Sequence, residues 1–180
     1  MNKFLLITLC FICLHNDEPV LSWNDAYQLK WSDFKAKLNN KSGAVAVTAS
    51  GITFGYAIRE TDANKVVSFN AEVEALFYPE KSWYKPNLAD VHVLGHEQLH
   101  FDITELHARK FREQLKKLEI SQHIKKALNS LNKSVNKALA DMQNRYDNET
   151  NYSRNNEAQA QWKAFVTEEL KKLSQYKTVD

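Results

Sequence analysis

With 180 residues, 43% of them hydrophobic and 26% charged, the chain has room for one domain with a sizeable core and not for a second of similar size. Its 24 basic and 22 acidic side chains leave a formal net charge of +2. That balance gives no electrostatic case for nucleic acid as a partner.

The N-terminus starts with Met1-Asn2-Lys3 and continues with an apolar run from Phe4 to Leu14. The run is too short to span a bilayer as a helix and suits the hydrophobic region of a secretory signal. Residues 1–20 are therefore expected to be a signal peptide or lipoprotein signal, although no small-x-small cleavage site is present, and 21–180 a single domain. Cys10 and Cys13 lie inside the run, so a lipid anchor on one of them is the alternative form of export. Once the segment is removed, the mature chain has no cysteine and no transmembrane span, which leaves neither a disulfide framework nor a thiolate zinc ligand. The expected location is secreted or periplasmic, free or lipid-anchored at a bacterial envelope.

After an aromatic entry with Trp23, Tyr27, Trp31 and Phe34, Ser32 is placed to cap a short helical turn. Asn39 to Gly43 form a turn cluster, and then the period changes to two. Ile52, Phe54, Tyr56 and Ile58 alternate with smaller or polar residues, as do Val67, Phe69, Ala71, Val73, Ala75 and Phe77 beyond the polar turn Glu60–Asn64. Two such runs predict an antiparallel hairpin with one apolar face. Pro79 and Pro86 bracket a loop with Trp83 and Tyr84, and Asn87 is placed to cap a long helix with apolar positions from Val91 to Leu118. A second helix, capped by Ser121, has apolar positions Ile124, Leu128, Leu131, Val135, Ala138 and Met142 at steps of four and three. The polar run 147–153 breaks it, and a last helix carries Ala158, Trp162, Phe165, Val166, Leu170 and Leu173. The fold class is α+β: a small antiparallel sheet packed against the long helix, with two further helices.

Inside the long helix lies His96-Glu97-Gln98-Leu99-His100, an H-E-x-x-H motif. Histidines four apart share one helix face about 6 Å apart along the axis, where both can reach one zinc ion. Glu97, roughly 100° round the helix, can reach a water on that ion without ligating it, which makes it the candidate general base. A catalytic zinc takes three protein ligands and an open position, so one ligand is missing. His107 is seven residues beyond His100, about 10.5 Å of rise, and is too far; His92, one turn before the pair, is at best an outer neighbour. Asp102 and Glu105 point away from the His96/His100 face and suit contacts with other elements. The third ligand is expected from the polar break at 147 to 153.

The run His96-Glu97-Gln98-Leu99-His100-Phe101-Asp102-Ile103 with Glu105-Leu106 and Ala108-Arg109-Lys110 resembles a bacterial family of predicted secreted zinc-dependent proteases. The resemblance extends to Trp31-Ser32-Asp33-Phe34, to Tyr78-Pro79-Glu80-Lys81-Ser82-Trp83, and to Tyr146-Asp147-Asn148-Glu149-Thr150 with Gln161-Trp162. It implies a zincin-like domain, a Zn2+ cofactor and a peptide or protein substrate. It also implies a histidine two residues after the Tyr-Asp-x-x-Thr run as third ligand. That position here is Tyr152, so three readings stay open: Tyr152 ligates as a phenolate, Asp147 or another nearby carboxylate substitutes, or the site is degraded. The expected function is a zinc metallopeptidase. The alternative is a non-catalytic envelope protein whose helices bind a partner.

Overall fold

The computed structural model describes residues 19–178, so the expected signal segment falls almost wholly outside the described residues. The architecture is α+β, with three helices and two small antiparallel sheets. Strands β3 (Ser50–Glu60) and β4 (Val66–Phe77) form the expected hairpin, in register from Ser50 opposite Phe77 to a bulge at Arg59/Glu60. Asn64 turns the chain with φ of 57°, a conformation that asparagine tolerates better than most residues. The short β1 (Leu21–Ser22) adds to the other side of β4, giving the order β1-β4-β3. Strand β2 (Ala46–Val47) pairs separately with β5 (Trp83–Tyr84).

Helix α1 (Val91–Lys116) is the axis of the molecule. Its cap is Asp90, whose carboxylate accepts from Val93 N–H at 2.8 Å; Asn87 lies a full turn too early. One side of α1 faces the hairpin through Phe101, Ala108, Phe111 and Leu115, packed with Val73 and Phe77. Another faces α2 (Ile124–Glu149) and α3 (Asn156–Lys172), where Leu99 and Ile103 meet Leu139, Tyr146, Trp162 and Val166. Layers on several sides explain why so many polar residues of α1 are buried and why no single apolar stripe describes it. Val91, expected to start that stripe, is 83% exposed.

Three other expectations shift. Trp31–Asp33 is a 3-10 turn, in which the Asp33 carboxylate accepts from Lys30 N–H at 2.7 Å, in place of a turn capped by Ser32. On α2 the buried residue is Leu139 and not its neighbour Ala138, which faces solvent. The same helix begins after His123 and runs through to Glu149, so Asp147 belongs to its last turn and the break comes at Thr150. The Thr150 hydroxyl donates to Tyr146 O at 2.7 Å within that turn.

On α1, the Glu105 carboxylate, 1% exposed, accepts from Arg109 Nε at 2.8 Å and Arg112 Nη1 at 3.1 Å. The two guanidinium groups also donate to Val73 O, Leu170 O and Tyr176 O, joining the hairpin, α3 and the C-terminal turn to α1. Removing the carboxylate takes the buried counter-charge from two largely buried cations and leaves only the exposed Asp25, 3.7 Å from Arg109 Nη2. Glu105→Ala should lower the unfolding free energy by about 3–5 kcal/mol in urea denaturation, whereas Lys137→Ala, which removes an exposed pair with Asp141, should leave the midpoint nearly unmoved.

Candidate metal centre

Three side-chain atoms converge where α1 meets the last turn of α2. His96 Nε2 lies 3.1 Å and His100 Nε2 3.0 Å from Asp147 Oδ1, and the two nitrogens are 3.2 Å apart. Asp147 was the carboxylate left open beside Tyr152 from the sequence, and it stands against both imidazoles. Tyr152 lines the same cleft and is 59% exposed.

The hydrogen bonds around His100 fix its protonation pattern. Gln143 Nε2 donates to His100 O at 2.9 Å and to Thr104 Oγ1 at 3.3 Å, which turns its Oε1 toward the ring. That oxygen accepts from His100 Nδ1–H. A neutral His100 then presents a bare lone pair at Nε2 to a carboxylate oxygen and to a second imidazole nitrogen. Electron-pair donors so close together repel unless a proton or a metal ion lies among them. Burial disfavours a charged His100, but the Asp147 hydrogen bond, the charges of Glu97 and Asp147, and Gln143 outweigh it and raise its pKa above that of ordinary histidine. Asp147 behaves conversely: burial works to raise its pKa, and the hydrogen bonds to His100 and His96 overcome that and hold the carboxyl well below the usual carboxylate range. The site favours a cation.

A metal ion fits this donor set. A tetrahedral ion with bonds of about 2.0–2.1 Å holds its ligand atoms roughly 3.3–3.4 Å apart, close to the observed triangle. Two imidazoles and one carboxylate leave a fourth position open. His96 is oriented by the Tyr146 ring, stacked on it at 4.5 Å between centroids with 22° between planes. Its Nδ1 is buried without a hydrogen-bond partner among the described residues. The Glu97 carboxylate belongs to a residue only 4% exposed, lines the cleft beside the triangle, and has no hydrogen-bond partner among the described residues.

The cleft has a volume of about 720 Å³. Residues 43–48 form one wall, held to α1 by the bond from Thr48 Oγ1 to Glu97 O. Lys85 N–H donates to Val45 O at 2.8 Å, so the alternation of an antiparallel ladder turns Val45 and Val47 toward β5 and leaves the backbone groups of Ala46 and Thr48 on the opposite edge. No further strand pairs with that edge among the described residues. The far wall is the turn after α2, where Asn151, Tyr152 and Ser153 have φ of 49°, 53° and 68°. Left-handed backbone costs about 1–2 kcal/mol per residue, and three in succession are held by Tyr152 N–H to Asp147 O and Asn155 N–H to Thr150 O, both 2.8 Å. Ser153 O accepts from His92 Nε2 at 2.6 Å, which ties the turn to α1.

The other residues weighed from the sequence lie apart from the triangle. Asp102 accepts from Trp23 Nε1 and Gln98 Nε2, both at 2.8 Å. His107 is buried against Met142 Sδ at 3.1 Å. Gln143 was not singled out from sequence, and Tyr146 entered only as the first residue of the Tyr-Asp-x-x-Thr run; their signal is their position one turn and one residue before Asp147 on the same helix.

A family described as "Bacterial protein of unknown function (DUF922)" matches residues 24–155, a span that contains every residue of the triangle, Glu97 and the turn. The chain belongs to this family. No curated protein and no solved structure matches it. The match ends at Asn155, the cap of α3, so that helix lies beyond it. Among the described residues no helix is long and apolar enough to cross a membrane.

Gln143→Leu should weaken divalent-metal binding about 10–100-fold in competition with a chromophoric chelator while leaving helix content unchanged, because the orienting acceptor for His100 is lost. His107 gives a separate pH signature. Burial, with the Lys110 charge adding to it, lowers its pKa from 6.5 to about 4. The unfolded chain therefore binds a proton between those pH values that the folded chain refuses. Stability from this group is complete above pH 6.5 and lost as pH falls toward about 4, by about 3 kcal/mol. His107→Leu should flatten that part of the stability profile in urea titrations at successive pH values.

Proposed function

We propose that this DUF922 chain is a zinc-dependent metallopeptidase. The observation that carries the reading is the juxtaposition, in one cleft, of three converging electron-pair donors with a buried carboxylate that none of them engages. His96, His100 and Asp147 hold the ion. When bound there, zinc supplies a Lewis acid for a carbonyl oxygen and makes water a competent nucleophile near neutral pH. Glu97 accepts the proton of the attacking water and delivers it to the departing amine nitrogen, a general base that becomes a general acid. The substrate lies extended along β2, where the backbone groups of Ala46 and Thr48 have a free edge to offer it. With a carboxylate in the third position, Tyr152 is left to face the substrate. The site of action is outside the cytoplasm, which the basic start and apolar run of residues 1–14 support.

The test combines metal content with turnover. Purified protein should contain about one equivalent of zinc by mass spectrometry, lost in His96→Ala. Glu97→Gln should keep the zinc and lower hydrolysis of an unfolded protein substrate at least about 100-fold. Undiminished turnover in Glu97→Gln would remove Glu97 from the chemistry. Zinc bound by a wild-type chain that hydrolyses nothing would favour the non-catalytic envelope protein instead.

A further inference from the structure

The cleft is uneven in charge. Asp147 and Glu97 stand at the metal centre, and the turn that closes the far wall delivers Arg154 into the same cleft. Its side chain is exposed and makes neither a hydrogen bond nor an ion pair with any described residue. Asp90 shares the wall, but its Oδ1 already accepts from Val93 N–H, and no ion pair joins it to Arg154. Arg154 is fixed at its backbone: its N–H donates to Asn151 O at 3.3 Å, and the next residue, Asn155, caps α3 by accepting from Ala158 N–H at 3.1 Å. The starts of α1 and α3 meet beside it, since Gln159 Nε2 donates to His92 O at 3.0 Å. Both helices start on this side of the cleft, and each positive end is already met by an acidic side chain, Asp90 at the cap of α1 and Glu157 in the first turn of α3, so the guanidinium of Arg154 is the group left to meet an anion.

A guanidinium offers donors in a planar fork that matches a carboxylate in two parallel hydrogen bonds. With the ion bound, its two positive charges offset those of Asp147 and Glu97, and the Asp90 carboxylate is engaged at the start of α1, which leaves Arg154 to set one direction of binding. We propose that Arg154 recognises a carboxylate of the substrate on one side of the bond to be cut. The substrate class is thus a peptide that carries either an acidic side chain or its free C-terminal carboxylate at that position. The inference rests on the peptidase reading and assigns its selectivity.

The test uses the full chain as zinc-loaded Glu97→Gln, which binds peptide without cutting it, and fluorescence anisotropy with labelled peptides in matched pairs. One pair differs in a C-terminal acid against the amide, the other in an internal Glu against Gln, so the two sources of carboxylate are read separately. In one of the pairs the acidic member should bind about tenfold more tightly. Adding Arg154→Gln should abolish that difference, and Arg154→Glu should invert it in favour of a lysine-bearing peptide, with zinc content and helix content unchanged in both. Equal affinities within both pairs, or a preference that survives Arg154→Glu, would overturn the role of Arg154 while leaving the peptidase intact. Absence of any peptide binding, together with no hydrolysis by the wild type, would remove the peptidase reading and this inference with it.

Discussion

Two imidazole nitrogens and a carboxylate oxygen held 3.0 to 3.2 Å apart repel one another unless a proton or a metal ion sits between them, and much of the surrounding structure serves to keep them there. Gln143 holds His100 in the tautomer that turns its lone pair inward, and Tyr146 lies flat against His96. Both come from α2, the helix that also brings Asp147. The contact between α1 and α2 is therefore at once the packing of the second core and the assembly of the site. A proton on His100 can relieve the repulsion, and a metal ion relieves it with all three donors at once.

The support for this arrangement lies partly on the other side of α1. Glu105, Arg109 and Arg112 tie the hairpin, the end of α3 and the C-terminal turn to the motif helix, while Asp102 fixes the entry segment through Trp23. With α1 clamped on that side, the helix presents His96, Glu97 and His100 to the cleft from a fixed frame. Apart from Asn64 in the hairpin turn, the left-handed backbone among the described residues is gathered at 151–153, which the His92 bond to Ser153 O keeps in place. Strain of this kind gathers where geometry is needed for a function, and here it shapes the wall that bears Tyr152 and Arg154.

The legible part of this account was local. The period of two in β3 and β4, and the four-residue spacing of His96 and His100, each involve residues close in the chain, so the hairpin, the motif helix and two corners of the triangle could be read directly. Asp147 is 47 residues from His100, and the polar run in which it sits looked like the end of a helix. Its charge is satisfied by the histidines across the interface, which is why α2 runs past it to Glu149. Gln143 carried no motif at all, and only the register of α2 against α1 gives it a task. Strand β2, two residues long, is too short for a periodic signal, so its edge beside the cleft could not be read. Ala138 was placed on the apolar face where the structure buries Leu139 for a related reason: a small shift in helical phase exchanges neighbours between core and solvent.

X-ray absorption at the zinc edge of the metal-loaded protein tests the central claim most directly. The account predicts a first shell of nitrogen and oxygen near 2.0–2.1 Å with the multiple scattering of two imidazoles, reduced to one in His100→Ala, and with one fewer light-atom ligand in Asp147→Ala. A shell without imidazole scattering, or one unchanged by removing Asp147, would contradict it.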